Sequence, residues 1–135
     1  MTQQRFLSFF ACAVFSFLCA ANCYAHHSFA VNYDSKKTGT IEGVVKKFRF
    51  TNPHGILEVE VKTDRGDTQL WTVETTAPGY LQRRGWTRDS IKAGDRVTVD
   101  GWLARDGSHL MRLRKIRLPD GKELGQSAPS AQTGE

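Results

Sequence analysis

The run Thr38-Gly39-Thr40-Ile41-Glu42-Gly43-Val44-Val45-Lys46-Lys47-Phe48-Arg49-Phe50 decides the fold. Its apolar members Ile41, Val44, Val45, Phe48 and Phe50 are interleaved with Gly43, Lys46, Lys47 and Arg49 in a near-alternating order that a half-buried strand requires and a helix does not. The alternation breaks once, which predicts a β-bulge inside one long strand. Asn52-Pro53-His54-Gly55 stops the run with strong turn chemistry.

Downstream the same period returns. Leu57, Val59 and Val61 alternate with Glu58 and Glu60, the turn Asp64-Arg65-Gly66-Asp67 follows, and a third strand holds Leu70, Trp71 and Val73. The period then changes. Thr75 or Thr76 is placed to cap a short helix that starts near Pro78, carries Tyr80 and Leu81, and stops at Gly85. Trp86 to Ala93-Gly94-Asp95 connects it to a fourth strand with Val97 and Val99, and Asp106-Gly107-Ser108 turns into a fifth, His109 to Leu118. In that fifth strand Met111 and Leu113 are out of phase with Ile116 and Leu118, a second bulge or barrel bend. Pro119-Asp120-Gly121 is expected to close the domain.

The order of three strands, one short helix and two strands predicts an all-β, five-stranded OB-like small barrel (β-β-β-α-β-β) over residues 38–124. An open five-stranded sheet with the helix on one face is the competing architecture. Residues 125–135, rich in Ser, Ala, Pro, Gly and Gln, read as a disordered tail.

Upstream, residues 1–25 have the three parts of a cleaved secretory signal peptide. Arg5 lies in a short polar start, an apolar stretch runs from Phe6 to Ala20, and Cys23-Tyr24-Ala25 is an A-x-A-like cleavage site. The stretch is short and wrongly flanked for a membrane span, so no transmembrane anchor is expected. Cutting after Ala21 instead would leave Asn22 in front. The reading gives a periplasmic or secreted protein whose mature chain starts at His26, with residues 26–37 as an N-terminal segment that Phe29 and Tyr33 fasten to the barrel.

Cys12, Cys19 and Cys23 all lie in the signal, so a mature chain has no disulfide, thiolate metal site or cysteine nucleophile. The formal charge of +5 falls to +4 when Arg5 is removed with the signal. That surplus favours anionic partners, and export argues for polysaccharide, lipid headgroup or small acid rather than nucleic acid.

His26-His27-Ser28-Phe29, Thr51-Asn52-Pro53-His54, Trp71-Thr72-Val73-Glu74, Ala77-Pro78, Arg84-Gly85-Trp86 and Pro119-Asp120-Gly121 together resemble a family of small exported bacterial proteins classed as a domain of unknown function. The resemblance spans residues 26–124 and implies a periplasmic address and a barrel-like β domain. It implies no activity.

Candidate chemistry concentrates in histidine. A terminal His26 would offer its amine and a ring nitrogen, and His27 a second imidazole, a nitrogen set that suits Cu(II). Such binding weakens in acid, because imidazole titrates near about 6.5 and must be neutral to coordinate. The ordinary alternative is a polar, inert terminus. His54, in a rigid turn at the barrel rim, is either a third ligand or a ring bonded to a nearby backbone carbonyl. Glu74 is either a partner that orients an imidazole or a charge at the start of the following helix. His109 reads as solvated.

A second candidate is a basic face from Arg112, Arg114 and Arg117 on the fifth strand with Lys46 and Arg49 on the first, and Phe48, Trp71 and Trp102 as stacking surfaces. Pairing of those cations with Glu58, Glu60 and aspartates is the commoner outcome. Trp86 and Trp102 also serve as core fillers. No Gly-x-Ser-x-Gly elbow, His-Glu-x-x-His or spaced carboxylate pair is present, so no catalytic residues are assigned. The expected function is a non-enzymatic, exported binding protein that takes copper or another transition metal through His26, His27 and His54; the alternative is an anionic ligand on the basic face.

Overall fold

The computed structural model describes residues 28–125. Two compact units divide the chain, Met1–Val31 and Asn32–Glu135. In the described part of the first, a five-residue helix, α1 (Ser28–Asn32), begins and runs to the first residue of the second. The second unit then carries β1 (Tyr33–Arg49), β2 (Ile56–Lys62), β3 (Thr68–Glu74), α2 (Pro78–Gln82), β4 (Arg96–Ala104), β5 (Leu110–Arg117) and β6 (Glu123–Gly125).

Strand β1 is long enough to serve two neighbours. Its first part pairs with β4 and its last part with β2, both antiparallel, and Val44 is the crossover residue, opposite Glu60 on one edge and Arg96 on the other. Strand β2 pairs with β3, β4 with β5, and a parallel pairing of β3 with β5 completes the ring β1-β2-β3-β5-β4. This is the expected five-stranded OB-like barrel, and the β3–β5 contact excludes the open sheet. Closure leaves few unpaired strand edges.

Both phase breaks are bulges. Val45 faces Val59 and Lys47 faces Glu58, so Lys46 is the extra residue in β1. Asp100 faces Lys115 and Gly101 faces Leu113, so Arg114 is the extra residue in β5. The interior holds Ile41, Val45, Leu57, Val59, Val73, Val97, Val99, Met111, Leu113 and Ile116, with Leu81 of α2 and Trp86 and Ile91 of the next connection packed into the same cluster.

The structure corrects several boundaries. The barrel begins at Tyr33 rather than at residue 38, because β1 extends back through polar, exposed positions to pair Tyr33 with Ala104. Pro119-Asp120-Gly121 does not end the domain: it turns, with Gly121 at φ +83°, into β6, which pairs with β5 and buries Leu124. Strand β6 covers Lys115 to Arg117 on the edge of β5 whose other end, Leu110 to Arg112, is taken by β3. Neither Thr75 nor Thr76 caps α2. Ala77 occupies that position without a side-chain bond, and buried Thr75 instead turns its hydroxyl toward the carbonyls of Gly55 (3.2 Å) and Thr76 (3.0 Å). Phe48 is not an outward stacking surface, since it lies against Phe50 and Trp86 at ring separations of 5.6 and 6.3 Å and packs on the core.

Candidate functional site

Glu74 ends β3 on the outer face of the barrel, and the strand pairings bring three donors to it. Ile56 is its register partner on β2, and His54, in the turn just before that strand, reaches the carboxylate. The turn holding His54 is tied to the end of β3 by Thr75 N–H donating to Gly55 O (2.8 Å); the Asn52–Pro53 bond within it is cis. Arg112 is the direct partner of Glu74 across the parallel β3–β5 seam. Tyr33 reaches the group from the start of β1.

The contacts divide between the two carboxylate oxygens. Oε1 receives His54 Nδ1 and Arg112 Nη1, the latter at 2.9 Å, while Oε2 accepts the Tyr33 hydroxyl at 2.5 Å. Burial, and then the hydrogen bond to Glu74 and its negative charge, push the Tyr33 phenol well above the ordinary tyrosine range, so it keeps its proton and donates. Arg112 can only donate. A carboxylate paired with a guanidinium and accepting a phenol proton has none to give, so Nδ1 of His54 carries the hydrogen of the His54–Glu74 contact. In the neutral ring that leaves the lone pair on Nε2, on a side chain 36 % exposed.

Glu74 therefore orients an imidazole, and α2 lacks any side-chain cap from it or its neighbours. His54 Nδ1 bonds this carboxylate rather than a backbone carbonyl. Tyr33 and Arg112 were not legible as members of the group. The first read only as a fastening residue and the second as part of an anion-binding face. The usable signal is Tyr33, a fully buried aromatic that stands outside the core cluster.

The other expected site residues are dispersed. His26 and His27 lie outside the described residues, as do the signal and the 126–135 part of the tail. Lys46 pairs with Glu60 (3.2 Å), Arg49 with Glu58 (3.4 Å) and Arg117 with Glu123 (2.9 Å), so these three cations face carboxylates on the barrel surface. Arg114, bulged from β5, has its guanidinium 5.4 Å from the ring centroid of Trp102. Trp71 packs partly on the core and stacks on exposed His109 at 5.0 Å. Among the described residues, no group of three or more His, Cys, Asp or Glu side chains gathers as a ready metal cage, and no helix is long and apolar enough to cross a membrane.

A family model described as a family of unknown function, DUF6152, matches residues 14–112, which include Tyr33, His54, Glu74 and Arg112. The chain belongs to this family. No curated protein matches the sequence. Among solved structures, a mitochondrial single-stranded DNA binding protein from S. cerevisiae is similar at 15 % identity and a TM-score of 0.43, over 61 % of this chain and 92 % of that one.

Proposed function

We propose that this DUF6152 protein is an exported, non-enzymatic module that binds a transition metal ion, copper(II) foremost, and that Nε2 of His54 is one of its ligands. The observation that carries the reading is the contact of His54 Nδ1 with a carboxylate that is itself held by Arg112 and Tyr33. Metal-binding histidines characteristically donate the ring nitrogen that does not bind metal to such a carboxylate, which fixes the tautomer and ring orientation and makes the ligating nitrogen more basic. A single imidazole binds weakly, so further donors are required. His26 and His27, with the amine that signal cleavage would expose, are the other concentrated nitrogen donors in the sequence.

Copper titration of the purified mature protein, followed by visible absorption and electron spin resonance, tests this. Glu74→Gln should weaken binding by about tenfold, the low end for loss of a carboxylate behind a ligand histidine. His54→Ala should weaken it more and remove one nitrogen from the resonance signal, whereas His109→Ala should change neither. A protein that takes up no copper refutes the metal reading. Unchanged binding in His54→Ala removes His54 from it, and a His26→Ala, His27→Ala variant measures that pair by itself.

A further inference from the structure

The turn that carries His54 is joined to the end of β3 by more than one backbone bond. Gly55 and Thr75 face each other just past Ile56 and Glu74, the last register pair of the β2–β3 ladder. Thr75 N–H donates to Gly55 O at 2.8 Å, and Gly55 N–H reaches Thr76 O at 3.4 Å. The Thr75 hydroxyl lies between the two carbonyls, 3.2 Å from Gly55 O and 3.0 Å from Thr76 O. The Gly55 amide is thus at the long end of a hydrogen bond, and its acceptor is held more closely by the hydroxyl than by the amide itself. That amide belongs to the peptide plane from which His54 hangs.

The fit is steric as well as polar. A Cβ on Gly55 would lie 2.5 Å from Thr75 Oγ1, whereas the next atoms, Arg49 O at 3.4 Å and Phe48 Cε2 at 3.7 Å, leave room for it. The hydroxyl of Thr75 therefore occupies the space in which a side chain at position 55 would stand. Thr75 has no exposed surface, an uncommon state for threonine. Valine has nearly the same shape, so what threonine adds at this point is a donor, aimed at two carbonyls of the turn.

We infer that Thr75 is a positioning residue for His54: by holding the Gly55 and Thr76 carbonyls, its hydroxyl keeps Nδ1 of His54 on Glu74 and the ring's lone pair on Nε2. This deepens the copper reading and rests on it only for the second of two measurements, since the first is made without metal.

The first measurement is the nitrogen-15 spectrum of the His54 ring in the metal-free protein at about pH 8, above the ordinary imidazole value, where the shifts of a neutral ring report which nitrogen carries the hydrogen. The wild-type chain should show the Nδ1–H form alone. Thr75→Val should show a mixture of the two forms, and Thr75→Ser, which keeps the hydroxyl, should restore the single form. Gly55→Ala with Thr75→Ala exchanges the hydroxyl for a methyl group in the same space, so it should fold and still show the mixture. Leu124→Ala opens a cavity under β6 and should lower the melting temperature without moving the ring signals, which separates orientation of the ring from general loss of stability.

The second measurement is copper titration. Thr75→Val should weaken binding by about threefold, short of the roughly tenfold expected of Glu74→Gln, because it acts through the turn and not on the ring. A mixed ring in the wild-type chain, a single form in Thr75→Val or in the double variant, a mixture in Thr75→Ser, or an equal change in Leu124→Ala overturns the proposal. A mixture in Thr75→Val with unchanged copper binding, or with no copper uptake by the wild-type protein, upholds the positioning role and counts instead against His54 as a metal ligand.

Discussion

At Glu74 one side chain joins elements that are distant in sequence, because its two oxygens serve a phenol, an imidazole and a guanidinium that come from β1, the turn before β2, and β5. Tyr33 is the buried member, and its removal has a pH signature. Tyr33→Phe should cost about 1–2 kcal/mol, the scale of leaving a partly buried acceptor without its donor. The folded state raises the Tyr33 phenol, so at alkaline pH it keeps a proton that the unfolded chain has already lost. Fewer protons on the unfolded state means that stability falls as pH rises. The contribution is fully present below about 10, the ordinary tyrosine value, and is lost progressively above it. Urea unfolding of both proteins on either side of that value should therefore show a stability gap that narrows in the alkaline samples. A gap of constant size would show that Tyr33 does not donate to Glu74 in the folded protein.

The same outer face depends on how closely β4 and β5 approach at the bulge. A Cβ on Gly101 would lie 2.5 Å from Arg112 O and 2.7 Å from Met111 Cγ, so one strand would have to shift from the other. Overpacking of this kind costs about 1–3 kcal/mol, and the displaced carbonyl belongs to the residue that holds Glu74. Gly101→Ala should lower the melting temperature and should also disturb the His54 ring resonances, which a local defect confined to β4 would leave in place. Sequence alternation revealed β2 and the first half of β4, where Leu57 and Val59, and Val97 and Val99, are buried at every second position, and it revealed both bulges because an extra residue inverts the phase. It could not reveal β6, whose three residues contain only one buried apolar side chain, Leu124. Nor could it reveal the start of β1, where Ser35 to Thr38 is polar and exposed although extended. The Glu74–His54 pair was half legible, since both residues stood at the ends of recognised elements. Arg112 was not, because its facing partner is set by a parallel seam that no local pattern encodes.

For the molecule as a whole, that seam decides whether the barrel opens in parts or all together. Only Thr72 to Glu74 and Leu110 to Arg112 are in register across it, and Thr72 N–H donates to His109 O at 2.9 Å. So short a ladder would ordinarily fray. Here the middle pair is Val73 with Met111, both with no exposed surface and both in the central cluster. Parting the strands would bring water to the whole interior, so seam opening and global unfolding should be one event. The amide of Thr72 should then exchange with solvent hydrogen at a rate set by the full unfolding free energy, like the amides of β4 at the centre of the sheet, and should share their sensitivity to low denaturant. The slope of its opening free energy against denaturant is the discriminating quantity, since it reports the surface exposed in the opening. If Thr72 exchanges with a shallow slope and an opening free energy several kcal/mol below that of β4, the barrel breathes at β3–β5. The Glu74 cluster would then sit on a moving joint and could not hold an imidazole in one orientation.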